Sequence, residues 1–460
     1  MAINNCCLCL DKQRKIDELE NEIDRLKRAL GRIKQNEKEG FFGSSTPSSQ
    51  LPVKANVQEG EKRPKGGRLG HNGWGRKSHD GLEADRVVEV EAESDLCPEC
   101  GRQLQKKGIE QRSILDTSST KPEKVLFRLS KRYCPHCHKN FTPRVPGVLP
   151  KSLYGNQLIA NAITMYYLFG LPVGRISENI GVGPGSLMDI FHRCAGIFEN
   201  VPNKLVEEYR SSPVKHADET SWRTDGRNGY VWLFATPELS VFQFGENRSS
   251  RVPHAVFGND PLPGVLVVDR YGGYNKAPCR IQYCYAHLLR TVQDLEKEFP
   301  EEKEVSTFVS VVAPMLALAM GLRGRRITDE EFYREASKLK SEIKSAMDEP
   351  AKHLGIRRIQ EIFRENESKL YIWAENRAVP ADNNLAERDL RPSVVARKVS
   401  YGSITDNGAR TRSILTSVVT TLRKRGADVA DQIKNALDQL AQNMDQDPYK
   451  LLFPNQDPKT

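Results

Sequence analysis

The fold is decided by a stretch that begins with Val214-Lys215-His216-Ala217-Asp218-Glu219-Thr220 and ends at Tyr274. Three further apolar, β-branched and aromatic runs follow, Tyr-Val-Trp-Leu-Phe-Ala-Thr (230–236), Val-Phe-Gln-Phe (241–244) and Gly-Val-Leu-Val-Val-Asp (264–269). Runs of this composition are typical of β-strands, and the short turn at Pro237-Glu238 makes the middle two a hairpin. A short helix is expected over 249–257, so the predicted order is strand, strand, strand, helix, strand.

Two aspartates belong to this pattern, Asp218 on the first strand and Asp269 at the end of the last. The order is that of a ribonuclease H-like core, in which two neighbouring strands bring their acids side by side. Carboxylates held close together repel each other unless a cation lies between them, and Mg²⁺ prefers oxygen ligands. Two such ions can activate the attacking oxygen and stabilise the leaving oxygen in phosphoryl transfer. An aspartate at a strand end is usually structural, so whether these two are catalytic depends on the remaining motifs of the chain.

Composition restricts the class of protein. A chain of 460 residues corresponds to roughly three domains. Charged residues make up 28% of it, the net charge is +9, and no apolar run is expected to reach the roughly 18 residues of a membrane span. The first residues, with Cys6, Cys7 and Cys9, do not resemble a signal peptide. Most of the ten cysteines occur in pairs at metal-binding spacing, which favours a reducing cytosol. We expect a cytoplasmic protein with a weak preference for polyanions.

Residues 10–37 predict a coiled coil. Apolar residues recur there at alternating spacings of three and four: Ile16, Leu19, Ile23, Leu26, Leu30 and Ile33. Isoleucine at position a with leucine at position d favours two parallel helices, so the segment predicts a homodimer. An amphipathic helix packed on its own domain is the alternative. The upstream Cys6 and Cys9 have no obvious second pair, and free thiols are expected there.

A flexible linker is expected over 38–85. Its first part, 41–57, is rich in serine and proline, and its second part, 61–77, combines glycines with cations. These cations are Lys62, Arg63, Lys65, Arg68, Arg76 and Lys77. A basic, glycine-rich segment cannot bury a core and is typical of an arm that follows nucleic acid, with a merely solvated linker as the alternative.

Residues 86–150 predict a zinc ribbon. Two Cys-x-x-Cys pairs, Cys97 with Cys100 and Cys134 with Cys137, stand between strand-like runs. Four thiolates in such pairs typically hold a structural Zn²⁺, although the span between the pairs is longer than usual. The neighbouring histidines, at positions 136 and 138, are weaker candidates. A closed site of four cysteines has no open position for a substrate, so this zinc is not expected to be catalytic.

A helical region with a helix-turn-helix is expected over 151–205. Two helical segments, 175–180 and 186–194, flank a glycine-rich turn. Ser186 is expected to cap the second helix, which would enter a major groove of DNA. A purely structural helical hairpin is equally frequent and remains the alternative.

The part of the chain after Asp269 is mostly helical. Cys284 and His287 have metal-ligand spacing, but two ligands make no site, and packing or DNA contact is the preferred interpretation. Residues 291–379 are long, charged and helical, so they are expected to interrupt the core as an insertion.

A new helix is predicted after this insertion, capped by Asp382 and ended by Pro392. Glu387 and Asn383 would then share one helix face and point at a metal. From Arg388 to Arg425 there are nine Lys or Arg residues against two acids, with Tyr401 among them. This density suits phosphate contacts, for which the candidates are Arg388, Arg391, Arg397 and Lys398.

These motifs together resemble transposases of the insertion sequence 66 family. The most specific are Ala217-Asp218-Glu219-Thr220, Asp269-Arg270-Tyr271-Gly272-Gly273-Tyr274, Cys284-Tyr285-Ala286-His287 and Asp382-Asn383-Asn384-Leu385-Ala386-Glu387-Arg388. The resemblance implies a DDE triad of Asp218, Asp269 and Glu387 that binds two Mg²⁺ or Mn²⁺ ions. It also implies DNA partners, namely the terminal inverted repeats of a prokaryotic element and its target DNA, with helper proteins encoded by the same element and a nucleoid-associated location.

The expected protein is thus a multidomain α/β protein with a ribonuclease H-like core of mixed sheet and helices, over 206–290 and 380–425. The all-helical insertion interrupts this core, the coiled coil, zinc ribbon and helix-turn-helix precede it, and a helical tail over 426–460 follows. The expected function is DNA cleavage and strand transfer. The alternatives are a metal-dependent DNA nuclease of the same fold and a non-catalytic DNA-binding regulator.

Overall fold

The computed structural model of the protein describes residues 84, 86–91, 94–117 and 122–454. The predicted coiled coil over 10–37, the cysteines at positions 6, 7 and 9, and the cations of the predicted basic arm lie outside these residues. Their roles stay predictions from the sequence.

The described chain forms two compact units. The helical unit comprises Val267–Arg270 and Ile281–Asn383. The sheet unit comprises the described residues up to Leu266, Tyr271–Arg280, and the described residues from Asn384 onward. The chain therefore changes unit on both sides of Asp269.

The sheet unit begins with a small mixed sheet that carries the cysteine pairs. Its strands are β1 (Arg86–Val90), β2 (Gln105–Thr117), β3 (Pro122–Cys134) and β4 (Lys139–Phe141). β3 is central, because β2 and β4 pair with it in antiparallel and β1 in parallel orientation. Alternate residues of β3 (Val125, Phe127 and Leu129) point into a core shared with Ile114 and Val148, as the period of two in a strand requires.

Five further strands form the central sheet: β5 (Val214–Thr224), β6 (Arg227–Ala235), β7 (Ser240–Gly245), β8 (Val265–Val268) and β9 (Arg280–Tyr283). β5, β6 and β7 are an antiparallel meander, with the predicted hairpin between β6 and β7. β8 starts beside β5, where the Val265 N–H donates to the Pro213 carbonyl (3.0 Å). β8 enters the helical unit after Leu266, and β9 is its neighbour there.

The helices in chain order are α1 (Asn156–Ile163), α2 (Val173–Ile180), α3 (Pro184–Ile197), α4 (Val201–Ser211), α5 (Arg251–Phe257), α6 (Tyr285–Glu298), α7 (Lys303–Leu322), α8 (Asp329–Asp348), α9 (Leu354–Glu365), α10 (Ile372–Glu375), α11 (Asn384–Ser400), α12 (Asp406–Lys424), α13 (Val429–Gln442) and α14 (Pro448–Leu452). A π-helical turn over Thr164–Leu168 extends α1. The predicted succession of three strands, a helix and a fourth strand corresponds to β5, β6, β7, α5 and β8. This mixed α/β architecture is consistent with a ribonuclease H-like core.

Two helices of the sheet unit cover the meander. Ala386 and Leu390 of α11 pack into an apolar cluster with Trp222, Leu233 and Phe242. α12 lies along the edge strand β7 and bonds to it through hydroxyl groups. The Phe242 N–H donates to Ser417 Oγ (2.9 Å), and the Ser240 N–H donates to Thr421 Oγ1 (3.1 Å). Because α12 occupies these groups, β7 is not an open sheet edge.

The helical unit contains the end of β8, β9 and helices α6 to α10. Gln282, fully buried on β9, links the strand to the helices of the unit. Its side-chain N–H donates to the Leu370 carbonyl (3.2 Å), and its side-chain oxygen accepts from the Trp373 N–H (3.1 Å). The predicted helical character of 291–379 corresponds to α6 through α10.

Helix α7 contradicts the expectation that no run is apolar enough to span a membrane. Among the described residues it is the one helix whose length and composition would allow a span, with a mean hydropathy of 2.0 over its most apolar window. Val305, Val309, Val312 and Leu316 form its buried face, which packs in the helical unit against neighbouring helices. Core helices of soluble proteins have the same composition, so this property is weak evidence for a membrane.

Candidate active site and zinc site

Asp218 lies in the middle of β5 and is half-buried between the buried residues Ala217 and Glu219. Its Oδ1 accepts a hydrogen bond from the Glu219 N–H (2.8 Å), which orients the carboxylate. Successive side chains of a strand point to opposite faces, so Asp218 shares a face with Thr220 and Trp222.

Helix α11 covers this same face. Trp222 belongs to the apolar cluster with Ala386 and Leu390 of α11, and Arg397 of α11 donates to Thr220 Oγ1 (3.2 Å). Glu387 lies in the first turn of α11, next to Ala386. Leu233, another member of the cluster, is the cross-strand partner of Asp218. The start of α11 therefore lies over the part of the sheet that carries Asp218.

The boundaries of α11 differ from the prediction. The helix begins at Asn384, so Asp382 is not its cap, and Asn383 precedes the helix as a fully buried residue. Pro392 lies inside the helix, which continues to Ser400. A proline removes one intrahelical bond to the carbonyl four residues earlier, that of Arg388. Since Pro392 and Arg388 are both exposed, water can satisfy that carbonyl. The predicted shared helix face of Glu387 and Asn383 is therefore wrong.

The other acids of this part of the chain are engaged in structural contacts. Asp389 is buried, forms an ion pair with Lys424 and accepts a hydrogen bond from Ser240 Oγ (2.8 Å). Burial lowers the pKa of Lys424, and the charge of Asp389 opposes this effect. In the helical unit, Glu361 pairs with Arg358 (2.7 Å) and Glu375 with Lys340 (3.1 Å). Glu387 stays the predicted metal ligand of α11.

A buried network beside Asp218 was not foreseen from the sequence. Glu219, whose side chain is 1% exposed, forms an ion pair with Arg248 (2.5 Å) and accepts a hydrogen bond from the Tyr274 hydroxyl. The Arg248 guanidinium stacks on the Tyr271 ring at 4.0 Å, and the Tyr271 hydroxyl donates to the Arg248 carbonyl. Trp232 packs edge-on against Tyr274. The network fixes the strand that holds Asp218 from the side opposite α11.

Asp269 follows β8 directly and is half-buried in the helical unit. The Cys284 N–H donates to the Val268 carbonyl (2.8 Å), and Cys284 Sγ accepts from the Asn383 N–H (3.1 Å). In this unit Cys284 therefore joins the strand end before Asp269 to the segment before α11. His287 lies one turn into α6, half-buried. Packing or DNA contact as the role of Cys284 and His287 stays a prediction from the sequence.

Four cysteine sulfurs converge in the small mixed sheet. Cys97 Sγ lies 3.8 Å from Cys137 Sγ, and Cys100 Sγ lies 3.7 Å from Cys134 Sγ. All four sulfurs lie within 4.8 Å of one another. A tetrahedral zinc with Zn–S bonds of about 2.3 Å places its sulfurs about 3.8 Å apart, so the spacing fits Zn²⁺. The Cys137 N–H donates to Cys134 Sγ, which lowers the pKa of the Cys134 thiol to about 7.

Neither nearby histidine is needed for this site. His138 has a positive φ of 54°, and its Nδ1 lies 3.1 Å from the Tyr133 hydroxyl. His136 is exposed and follows Cys134 in the turn of the second pair. In this small mixed sheet the ligands with metal-binding geometry are Cys97, Cys100, Cys134 and Cys137.

We expect Cys97→Ser to lower bound zinc from one ion per chain to a substoichiometric amount, because the serine hydroxyl is a poor zinc ligand. Metal analysis of the purified full-length protein measures this. Cys279→Ser, at a half-buried cysteine outside the cluster, should keep its zinc. A wild-type protein that contains no zinc would contradict the assignment.

The predicted helix-turn-helix corresponds to α2 and α3, joined by a turn in which Gly181 has a φ of 66°. Gly183 and not Ser186 is the N-cap of α3, because Pro184 occupies the first helical position and presets its φ. α3 packs against α12, where His192 Nδ1 lies 2.7 Å from Thr411 Oγ1. DNA contact through Ser186 stays a prediction.

The cations of α11 divide into two groups. Arg388, Arg391 and Lys398 are exposed. Arg397 instead turns toward β5, where it donates to Thr220 Oγ1, Ser221 Oγ and the Ser221 carbonyl. Burial lowers the pKa of its guanidinium. Arg397 therefore has a structural contact that accounts for it, and phosphate contact by the three exposed side chains stays a prediction.

A cleft of about 550 Å³ lies elsewhere, between the ends of β6 and β7 and the start of α12. Two arginines line it, Arg227 and Arg410. Arg227 pairs with Asp406 (3.4 Å), and Arg410 pairs with Glu199. The predicted carboxylates are not among its lining residues.

Comparison with known proteins extends this picture. The family model described as "Transposase IS66 family" matches residues 151–411, which is more than half of the chain. The uncharacterized protein y4jD of Sinorhizobium fredii (strain NBRC 101917 / NGR234) is 22% identical over 394 residues, which cover 77% of this chain and 76% of that protein. The uncharacterized protein y4qI of the same organism is 21% identical over 348 residues, 67% of this chain and 63% of that protein. Because this family match covers more than half of its length, the chain belongs to the IS66 family of transposases, a family of DNA strand-transfer enzymes.

Proposed function

We propose that the protein binds the ends of an insertion element, cleaves one DNA strand at each end and joins the freed end to target DNA. Asp218, Asp269 and Glu387 are the proposed metal ligands. The observation that carries the proposal is the position of Glu387, at the start of the helix that covers the Asp218 face of the sheet. Membership of a strand-transfer family supports the reaction type.

The donor set fits hard divalent cations, because carboxylate oxygens are the ligands that Mg²⁺ and Mn²⁺ prefer. When bound, two such ions activate the attacking oxygen and stabilise the leaving oxygen of an in-line displacement. The protein's own contribution is to hold the carboxylates rigidly. Asp218 is oriented by the Glu219 N–H, and Glu387 is held in the first turn of α11.

The proposed reaction has two steps of the same kind. Water attacks the phosphodiester at the element end, and the products are a 3′-hydroxyl and a 5′-phosphate. The 3′-hydroxyl then attacks a phosphodiester of the target, forms the new bond and releases a target 3′-hydroxyl. No covalent intermediate with the protein is required. The exposed cations Arg388, Arg391 and Lys398 neutralise DNA phosphates beside this site.

Purified full-length protein, incubated with DNA that carries the element ends, a supercoiled target and Mg²⁺, should give both cleaved ends and joined products. Joined products distinguish a transposase from a nuclease of the same fold, which would give cleavage alone. EDTA should abolish both products because the metal is removed. DNA binding without cleavage under every metal condition would indicate a non-catalytic regulator and would overturn the proposal.

A further inference from the structure

One exposed surface of the sheet unit combines cations with apolar side chains. On α11 the positions opposite the buried Ala386 and Leu390 are Arg388, Arg391, Val395, Lys398 and Val399. Their spacings of three and four place them on one side of the helix. We call Arg388, Arg391 and Lys398 the cationic stripe. Val395 is 53% exposed and Val399 is 56% exposed, so apolar side chains accompany these cations on the same side of the helix.

The apolar stripe extends into the loop after α11. Tyr401 is 63% exposed and Ile404 is 88% exposed, so most of the surface of both residues is open to solvent. We call Val395, Val399, Tyr401 and Ile404 the apolar ridge. These four side chains lie within ten residues of chain, and Lys398 of the cationic stripe lies between the first two of them.

The loop that carries the ridge is held in place by the β5–β6 hairpin. The Ser403 N–H donates to the Arg223 carbonyl (2.8 Å), the Asp225 N–H donates to the Ser403 carbonyl (3.0 Å), and Trp222 Nε1 donates to Ser403 Oγ (3.1 Å). Gly402 has a φ of 127°, and a Cβ at this position would lie 2.1 Å from the Arg223 carbonyl oxygen. Only glycine fits there, so the loop approaches the hairpin as closely as a backbone can.

Tyr401 itself has a φ of 59°, a left-handed conformation that is costly for a bulky side chain. Strained backbone persists where surrounding contacts fix it, and it is enriched at ligand-binding positions. The hairpin bonds thus hold an aromatic ring and an isoleucine outward in a fixed geometry. A loop that served only as a connection would need neither a tyrosine in this costly conformation nor an exposed isoleucine.

The chemistry of the surface indicates its partner. Arg388 and Lys398 are ten residues apart, about 15 Å along a helix, and this distance corresponds to roughly four nucleotides of a DNA strand. Cations bind phosphates, and aromatic or branched apolar side chains bind the faces of bases that are not paired. An intact duplex hides those faces in its stack. A strand end with unpaired bases offers both phosphates and base faces to one protein surface.

We propose that the apolar ridge binds unpaired bases of the DNA strand whose phosphates contact the cationic stripe of α11. Tyr401 stacks on one base, and Val395, Val399 and Ile404 pack against its neighbours. This inference rests on the proposed function, since it assigns to the transposase a specific binding site for DNA ends at which the strands are separated.

Equilibrium binding of the full-length protein in EDTA tests the inference without cleavage. The probes are a blunt duplex and the same duplex with a short single-stranded overhang that contains 2-aminopurine. Wild type should bind the overhang DNA roughly tenfold more tightly, a typical effect of stacking one base on an aromatic ring, and should quench the 2-aminopurine fluorescence. The double variant Tyr401→Ala/Ile404→Ala should bind both DNAs with the wild-type affinity for the blunt duplex, without quenching.

Three matched variants complete the test. Tyr401→Phe keeps the ring and should keep the preference. Arg391→Ala should weaken binding of both DNAs alike, because it removes a phosphate contact. Leu318→Ala, at a 46% exposed leucine of α7, should change neither affinity.

Two outcomes would overturn the inference. If wild type binds both DNAs equally, the ridge does not bind bases, while the proposed function stands. If the double variant alters self-association in sedimentation and leaves the overhang preference intact, the ridge is an interface between copies of the chain. Absence of all DNA binding would overturn both the inference and the proposed function.

Discussion

Glu387→Gln is expected to reduce DNA cleavage roughly 10²- to 10³-fold while DNA binding persists, because one electrostatic stabiliser of the transition state is removed. Glutamine keeps the volume of the side chain and its place in the first turn of α11. It removes the charge that would help to hold a divalent ion. Binding to DNA should be unchanged or slightly tighter, since one negative charge near the phosphates is lost. Cleavage and binding of an element-end DNA, measured side by side in Mg²⁺, give the two quantities.

Glu375→Gln is the matched control. Glu375 has the same chemistry but forms an exposed ion pair with Lys340, and such pairs contribute little to stability. Its cleavage activity should stay within a factor of about two of wild type. Near-normal cleavage by Glu387→Gln, together with an inactive Glu375→Gln, would show that the third ligand has been assigned to the wrong helix.

Arg248→Met is expected to destabilise the protein by about 3–5 kcal/mol, because it leaves Glu219 buried without its cation. The Tyr274 hydroxyl would still donate to Glu219, but a neutral hydrogen bond does not replace the charge of the guanidinium. The midpoint of thermal unfolding should fall clearly. Adding Glu219→Gln to Arg248→Met should recover part of the loss, since the unpaired charge is then gone.

Arg227→Met is the control for this second result. Arg227 pairs with Asp406 and, at 3.9 Å, with Glu246, and all three side chains are exposed. The free energy of unfolding should change by at most about 1 kcal/mol. If the two arginine variants unfold at the same midpoint, the Glu219 network does not stabilise the strand that carries Asp218.

Local sequence patterns were sufficient for the strands and for the cluster of four cysteines. β6 and β7 are apolar runs joined by a short turn, so composition alone predicts the hairpin. Each cysteine pair predicts a metal site from its spacing alone, because a metal knuckle requires two residues between its thiols. Glu387 was predicted as the third metal ligand through a resemblance. The packing of Ala386 and Leu390 against the sheet explains physically why the start of α11 lies over the strand that carries Asp218.

Patterns that depend on distant partners could not be predicted. The ion pair of Glu219 with Arg248 joins residues 29 positions apart, and no local sequence pattern around either residue predicts the other as its partner. Pro392 was expected to end α11, but its exposed position lets the helix continue. Ser186 has a capping side chain, yet Pro184 shifts the helix start to an earlier residue. In each case tertiary context overrides a correct local preference.

The contacts between α12 and β7 have a consequence for the order in which the protein can fold during synthesis. Ser240 leaves the ribosome 181 residues before its partner Thr421, and Phe242 leaves it 175 residues before its partner Ser417. A growing chain therefore exposes the unpaired backbone groups of β7 until most of it has been made, and such edges are prone to pair with other chains. α12 is itself rich in serine, threonine and valine, so it has a weak intrinsic tendency to be helical. The edge and its cover must consequently form together, late and cooperatively, and a product that stops before residue 406 would retain the aggregation-prone edge.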